Sequence, residues 1–142
     1  MRVPRIEIVE DNVTSQQKAS ILDALLTYNN AMAQHAFYVE FAILLRDPES
    51  GNVIGGLYGL TDHGWSFVKL LVVPEAYRGL GLGRRLMEEA EAIARRHESE
   101  GIWLETFDFQ ARPFYEKLGF QLFGELEAGE KAHGQYFLKK RF

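Results

Sequence analysis

The sequence contains no cysteine. This absence excludes a disulfide scaffold, a zinc site built from thiolates and a cysteine nucleophile, and it is typical of an intracellular protein. Long apolar runs are also missing: stretches such as LLVVP at 70–74 fall far below the ~20 residues of a membrane-spanning helix. The N-terminal stretch MRVPRIEIVED carries charges every few residues and has no apolar run of signal-peptide length. We therefore expect a soluble, cytoplasmic protein with no membrane partner.

An excess of positive charge is missing as well, since the formal net charge is −4. Nucleic acids are bound chiefly through Lys and Arg on their phosphates, so this balance argues against a nucleic-acid partner. What the chain does have is apolar material, with 46% hydrophobic and 13% aromatic residues in a length of 142. That amount fills one good core but hardly two. We therefore predict a single globular domain over residues 1–142.

The spacing of apolar and turn residues predicts an α/β (α+β) domain of order βα(α)βββαβαββ. Thr14 and Gln17 have the spacing of a capping box at the start of the first helix. The predicted strands are 5–9, 38–46, 53–61, 65–73, 102–107, 120–123 and 135–140, and the predicted helices are 14–27, 80–97 and 112–118, with 29–37 either a short helix or a loop. Strict alternation along 65–73 places Ser66, Val68, Leu70 and Val72 on one face and Trp65, Phe67, Lys69 and Leu71 on the other.

The stretch AYRGLGLGRRLM at 76–87 joins a predicted strand to the long helix and has glycine at alternate positions between two arginines. The first N–H groups of a helix lack internal acceptors and carry partial positive charge, so this junction suits an anion such as a phosphate. A Walker A loop would need Lys and then Ser or Thr after the last glycine, where Arg84 and Arg85 stand. A dinucleotide fingerprint would need a third glycine where Arg84 stands. The stretch therefore predicts a phosphate loop of another kind; the alternative is that the glycines merely allow a tight turn from strand to helix.

Two motifs carry a resemblance to a known family. The pattern Arg78-x-x-Gly81-x-Gly83, preceded by an apolar strand and PE, resembles the acyl-CoA pyrophosphate loop of the GNAT superfamily of N-acetyltransferases. The stretch ARPFYEKLGF at 111–120 is similar to the A-x-x-x-Y-E-K-L-G-F pattern of that superfamily. The predicted element order is also that of the family. The resemblance covers nearly the whole chain and is most specific over 70–120.

The resemblance implies a GNAT-like fold, in which helices flank a mixed, mostly antiparallel sheet. That sheet is splayed between the strands predicted at 65–73 and 102–107. It also implies acetyl-CoA as the cosubstrate, no metal, and transfer of an acetyl group to a primary amine of a small molecule. A protein or peptide acceptor is one alternative, and a catalytically weak acyl-CoA-binding sensor or interaction module is another. The cofactor contacts it implies are the backbone of Leu71, Val72 and Val73 with the loop residues Arg78, Gly79, Leu80, Gly81, Leu82, Gly83 and Arg84.

Direct acetyl transfer needs a neutral amine, a polarised carbonyl and a protonated leaving thiol. The resemblance makes Tyr115 the proton donor to the departing thiolate; the alternative is a core tyrosine with a satisfied hydroxyl. A phenol with a pKa near ~10 gives a proton to a thiolate near ~8.5 at a cost of roughly 2 kcal/mol, which is small beside a chemical barrier. The carbonyl would be polarised by a backbone N–H near Val72 or Val73.

A general base is harder to place. Family members often carry one on the strand before the pyrophosphate loop, and this strand contains neither a carboxylate nor an imidazole. The candidate bases are Glu105, Glu40 and His63, and a chain of waters is the alternative. Lys69 stands alone among apolar residues of the strand, and either favours an anionic group of the substrate or extends to solvent.

Asp108 precedes Ala111 at a position where many relatives carry Asn. Ionised Asp only accepts hydrogen bonds, so Asp108 is a candidate cofactor contact or a cap of the next helix, with Gln110 as an alternative donor. The 124–137 hairpin is predicted to be exposed and to reach the acceptor or a partner in a homodimer. Its candidate substrate contacts, alongside Glu40 and Lys69, are Lys131, His133 and Tyr136. No histidine has a metal-ligand spacing, so no metal is expected.

Overall fold

The computed structural model describes residues 1–33 and 37–142, in two compact units, Met1–Ala36 and Phe37–Phe142. The first unit contains helix α1 (Ser15–Met32). The predicted capping box is present: the Gln17 N–H donates to Thr14 Oγ1 at 3.0 Å, and the Thr14 N–H donates to Gln17 Oε1 at 2.9 Å. The helix runs beyond its predicted end into the 29–37 stretch, whose residues 34–36 lie outside the described residues.

The strand predicted at 5–9 was wrong, since residues 1–14 form neither helix nor strand. Alternation of apolar and charged residues fits a strand, but a strand is stabilised by its cross-strand neighbours. Within the first unit, the described residues include no strand that could supply them.

The second unit is built on a six-stranded sheet of order β1-β2-β3-β4-β6-β5. Neighbouring strands are antiparallel except β3 and β4, which are parallel. The predicted mixed, mostly antiparallel sheet with flanking helices is therefore confirmed. The strands are β1 (Tyr38–Arg46), β2 (Val53–Asp62), β3 (Trp65–Val72), β4 (Gly101–Phe107), β5 (Gln121–Leu126) and β6 (Gln135–Arg141), and the helices are α2 (Leu82–Arg96) and α3 (Arg112–Lys117).

The core of this unit lies between α2 and one face of the sheet. Helix α2 is amphipathic and buries Leu86, Met87, Ala90 and Ala94. Against them lie buried sheet residues that include Val68, Ile102, Leu104 and Leu138. No helix within the described residues is long and apolar enough to cross a membrane.

A β-bulge at Lys69 corrects the strict alternation predicted for the third strand of this sheet. Gly59 of β2 is paired with Val68 and Tyr58 with Leu70, so Lys69 is an extra residue without a cross-strand partner. The extra residue resets the phase of the strand. Leu71 therefore packs against the core, whereas Leu70 is 60% exposed.

A chain of buried hydroxyl groups crosses the end of the core. Thr61 Oγ1 lies 2.7 Å from Ser66 Oγ, and Ser66 Oγ lies 2.8 Å from Ser99 Oγ. At the other end Thr61 Oγ1 lies 2.7 Å from Nδ1 of His97, the residue that ends α2. Hydrogen bonding satisfies these polar side chains in a site shielded from water.

Candidate active site

The parallel strands β3 and β4 form a fork. They are paired only at Ser66 with Ile102, Phe67 with Trp103, and Val68 with Leu104. Farther along, β3 remains paired with β2 and β4 with β6, while the two facing edges separate. This is the splay that the resemblance to the GNAT superfamily implied. It leaves backbone N–H and C=O groups along the facing edges available to an extended ligand.

A cleft of about 940 Å³ opens from this fork. It brings together most of the residues predicted to bind or to react, although they lie on different elements. The members of the predicted set that line it are Lys69, Leu71, Val72, Val73, Arg78, Gly79, Gly81, Leu82, Gly83, Arg84, Glu105 and Tyr115.

The loop between β3 and α2 has the geometry of an anion site. Gly79 and Gly81 have φ of 82° and 75°, in the left-handed region that glycine adopts without strain. No side chain caps α2, so no capping group occupies the N–H groups of its first turn. Arg78 Nε donates to the carbonyl oxygen of Val73 at 3.2 Å, which ties the loop to the end of the strand. The positive end of the helix dipole and the Arg78 charge both favour an anion here.

Two loop residues differ from their predicted surroundings. Arg84 Nε lies 2.9 Å from Glu88 Oε1, so the guanidinium at the helix start is shared with a carboxylate of the next turn. Leu80 is 67% exposed and does not line the cleft. Its side chain therefore faces solvent, and only its backbone remains a candidate contact.

Tyr115 projects from α3 into the cleft. Its ring packs edge-to-face on Phe114 and Phe120, with centroid distances of 5.1 and 6.1 Å. Burial raises the pKa of the Tyr115 hydroxyl above its ordinary value of 10.0. The phenol is therefore protonated at neutral pH and able to donate a proton.

Glu105 and Lys69 flank the opening of the fork. Each follows a residue of the last pair between β3 and β4, and each is exposed. Along β4, Leu104 and Thr106 are buried towards the core, so alternation turns Glu105 to the face opposite α2. One side of the cleft thus holds the loop at the start of α2, and the other side presents the Glu105 carboxylate.

Two predicted bases are not brought to the cleft. His63 lies in the turn between β2 and β3, at the end of β3 away from the fork, with Nδ1 2.6 Å from Asp62 Oδ1. Glu40 lies on β1 and accepts a hydrogen bond from the Tyr38 hydroxyl at 3.3 Å. Burial and the nearby Glu40 carboxylate raise the pKa of Tyr38. Sequence position alone could not show that Glu40 lies two strands from β3, or that His63 lies at the far end of β3.

Several predicted contacts from the second half of the chain also lie outside the cleft. The Asp108 carboxylate instead contacts the protein itself. Its Oδ2 accepts a hydrogen bond of 2.8 Å from the Gly134 N–H, and its Oδ1 lies 3.4 Å from Nδ1 of His133. His133, Lys131 and Tyr136 do not line the cleft. The Arg112 guanidinium instead lies over the Tyr136 ring, with its carbon atom Cζ 4.6 Å from the ring centroid.

Two residues of the turn after β4 line the cleft without having been predicted as main contacts. Phe109 was not predicted at all, and Gln110 was named only as an alternative donor. Phe109 lines the cleft although it is 66% exposed. Gln110 also lines the cleft, and its Oε1 accepts the Phe107 N–H at 2.7 Å and the Thr106 hydroxyl at 3.2 Å. The only signal in the sequence was the position of both residues just before the ARPFYEKLGF stretch. Among the residues that the structure describes, no group of His, Asp and Glu has the arrangement of a metal site.

Comparison with known proteins finds relatives that share this fold. Residues 8–120 match the profile of the acetyltransferase (GNAT) family. An acetyltransferase of Agrobacterium fabrum is 33% identical over 135 residues, which cover 95% of this chain and 98% of the relative. Blasticidin-S acetyltransferase of Streptomyces morookaense is 45% identical over 123 residues, covering 86% of this chain and 85% of the relative. A crystal structure of an Agrobacterium tumefaciens protein superposes with a TM-score of 0.90 at 33% identity, covering 97% of this chain and all of that one.

Proposed function

Because the chain belongs to the acetyltransferase (GNAT) family, we propose that it moves the acetyl group of acetyl-CoA to a primary amine of a small molecule. The observation that carries the proposal is the fork between β3 and β4, which joins the glycine loop on one side of the sheet to Glu105 on the other. An elongated thioester can lie along such a cleft with its carbonyl at the fork. The amine then approaches from the opposite side, and both substrates are bound before reaction.

The residues of the loop and of β3 fit acetyl-CoA. The amides from Gly79 to Arg84, with the Arg78 guanidinium, suit the negative charge of the pyrophosphate. The facing edge of β3 at Leu71 to Val73 offers backbone groups to the amide-bearing pantetheine arm, in the manner of an added strand. A volume of about 940 Å³ accommodates a ligand of this size.

Transfer proceeds by one displacement at the thioester carbon. The amine nitrogen attacks this carbon and forms the new C–N bond, and the C–S bond breaks. The products are the acetylated amine and the thiolate of coenzyme A. A backbone N–H near Val72 or Val73 stabilises the oxyanion that develops on the carbonyl oxygen. No covalent intermediate with the protein is needed.

Tyr115 is proposed to protonate the leaving sulfur. It lines the cleft and carries its proton at neutral pH, so a proton is available to the sulfur as the C–S bond breaks. The Phe114 and Phe120 rings hold the side chain in place, so the proton donor is preorganised.

Glu105 is proposed as the group that accepts the proton from the amine, directly or through a water. Of the three candidate bases it alone lines the cleft, and it lies on the face from which the amine would approach. The carboxylate also attracts the ammonium form of the amine and so concentrates the substrate. Lys69, at the same opening, is proposed to bear on acceptor choice through its charge.

A small acceptor is supported by the relative named blasticidin-S acetyltransferase, which matches over most of both chains. A thiol-release assay with acetyl-CoA tests the proposal. The acceptors are blasticidin S, aminoglycosides, free amino acids and short peptides. We expect turnover on one of the small amines. Turnover on peptides alone would favour a protein acceptor, and coenzyme A binding by calorimetry without turnover on any amine would favour a sensor.

A further inference from the structure

Asp108 and Gly134 fasten the turn after β4 to the segment before β6. The Asp108 N–H donates to the Gly134 carbonyl oxygen at 2.8 Å, and the Gly134 N–H donates to Asp108 Oδ2 at 2.8 Å. A Cβ on the buried Gly134 would meet Asp108 Oδ2 at 3.1 Å, so the close approach suits a glycine. The two hydrogen bonds hold the 127–134 segment, which joins β5 to β6, against this turn.

The same carboxylate is connected to the cleft by a short series of contacts. Asp108 Oδ1 lies 3.4 Å from Nδ1 of His133. The His133 ring packs edge-to-face with Phe109 at 4.9 Å between centroids, and Phe109 is stacked on Phe107 at 5.4 Å with an interplanar angle of 4°. Phe109 lines the cleft. The exposed Phe109 ring at the rim of the cleft is therefore in contact with His133, which in turn contacts Asp108, a residue that does not line the cleft.

These rings lie on the side of the cleft away from α2. Leu104 and Thr106 of β4 are buried towards the core, so Glu105 and Phe107 face the other way. Phe109 is stacked parallel to Phe107 and extends that face. Since the loop proposed for the pyrophosphate lies at the start of α2, Phe109 belongs to the side from which the amine would approach.

We propose that Asp108 is a positioning residue: its carboxylate fastens the 127–134 segment to the turn after β4 and thereby holds the Phe109 ring at the acceptor side of the cleft. The assignment of that side rests on the proposed function. Asp108 thus acts on acceptor binding through Phe109 and does not contact the cofactor. An apolar or planar part of the acceptor packs on the Phe109 ring.

Measurements on the full chain without substrate test the fastening itself. In Asp108→Ala the hydrogen-exchange protection of the Gly134 amide should fall by about tenfold, the equivalent of one hydrogen bond. The NMR shifts of the His133 ring protons should also move, since they lie in the ring current of Phe109. Asp108→Asn should retain both signals, because its amide oxygen can accept the same N–H. Unchanged Gly134 protection in Asp108→Ala would overturn the proposal.

A matched control is available in the turn between β1 and β2. There Asp47 Oδ1 accepts the N–H groups of Glu49 and Ser50 at 2.9 and 2.8 Å, so this aspartate also supports a turn, and it does not line the cleft. Asp47→Ala should leave the Gly134 and His133 signals as they are. A matching loss in that variant would mean general loosening and would also overturn the proposal.

Steady-state kinetics with acetyl-CoA and blasticidin S test the consequence. Asp108→Ala should raise KM for blasticidin S about fivefold and change kcat and KM for acetyl-CoA by less than about twofold. Phe109→Ala should do the same, and the double variant should be no worse than Phe109→Ala alone, because Asp108 acts through that ring. A raised KM for acetyl-CoA would make Asp108 a cofactor contact and refute the assignment. If no variant acetylates blasticidin S, that acceptor is wrong, while the exchange and shift measurements still decide whether Asp108 holds Phe109.

Discussion

The ring of Phe114 lies directly against Gly83, so that a Cβ on Gly83 would meet Phe114 Cζ at 3.3 Å. Both residues line the cleft. The third glycine of the loop therefore lets the start of α2 approach α3, a packing role in addition to any contact with an anion. This separates it from Gly79 and Gly81, whose positive φ gives them a conformational role.

Gly83→Val should crowd Phe114 and lower the free energy of unfolding by about 1–3 kcal/mol, the usual range for overpacking. Urea unfolding measures the change. Phe114→Leu in the same chain should restore part of the loss, so the double variant should be more stable than the sum of the single effects predicts. Strict additivity of the two changes would contradict the contact.

Gly81→Ala should weaken coenzyme A binding about tenfold, because a residue with Cβ resists the φ of 75° and shifts the amides of the loop. No atom lies within 4 Å of the added Cβ, so backbone conformation alone is at issue. Gly51→Ala is the matched control, with φ of 75°, equal open space and a position in the β1–β2 turn. Calorimetry should find coenzyme A affinity reduced only in Gly81→Ala; equal affinities in the two variants would remove the loop from the site.

Tyr115→Phe should lower kcat about 100-fold and leave coenzyme A affinity unchanged, because it removes the proton donor and keeps the ring contacts. Stopped assays of product formation measure kcat, and calorimetry measures the affinity for coenzyme A. Equal turnover by the variant would exclude Tyr115 as the acid.

The pH dependence of stability gives a second view of Tyr115. Its pKa is raised by burial, so the folded chain keeps the phenolic proton at pH values where the unfolded chain has lost it. This contribution is fully present below pH 10 and is lost as the pH rises through the folded-state pKa, so the free energy of unfolding should fall there. Unfolding titrations above pH 10 should show a shallower decline for Tyr115→Phe than for the unsubstituted chain. Identical declines would mean that the hydroxyl is not shielded from water.

Glu105→Gln should lower kcat/KM about 100-fold at neutral pH, in line with the loss of a general base. Glu40→Gln is the matched control, because this carboxylate also lies on a strand but does not line the cleft. Assays with whichever acceptor the thiol-release assay identifies compare the two variants across pH. A loss of activity in Glu40→Gln with none in Glu105→Gln would reverse the assignment.

Ser66→Ala should lower the free energy of unfolding by about 1–3 kcal/mol, because it leaves the hydroxyls of Thr61 and Ser99 without a shared partner in a buried site. Ser50→Ala, at an exposed turn position where the hydroxyl accepts the Asn52 N–H at 3.2 Å, should lower it by only about 0.5 kcal/mol, because water can replace that partner. Urea unfolding compares them. Equal effects would mean that water replaces the lost hydroxyl.

The motifs were readable from the sequence because they are local. Glycine spacing around Gly81 and the pattern around Tyr115 need only neighbouring residues, and the cleft does bring these stretches together. The bulge at Lys69 was not readable, since it depends on the register against β2, a partner that alternation within one strand does not contain. The hydrogen-bond partner of Asp108 could not be predicted either, because Gly134 is distant from it in sequence. Resemblance to the family suggested a cofactor contact there, and the side chain is engaged with the protein itself.

The extra residue at Lys69 also bears on how this site can change over time. If β3 ran through Lys69 as a regular strand, Leu70 would lie on the core face with Val68, and Leu71 on the other face, the reverse of what is observed. The bulge comes directly after the Val68–Leu104 pair, at the point where β3 and β4 separate. Because the bulge is a feature of the backbone, substitutions at Lys69 can alter the charge at the mouth of the cleft without changing the faces on which Leu70 and Leu71 lie.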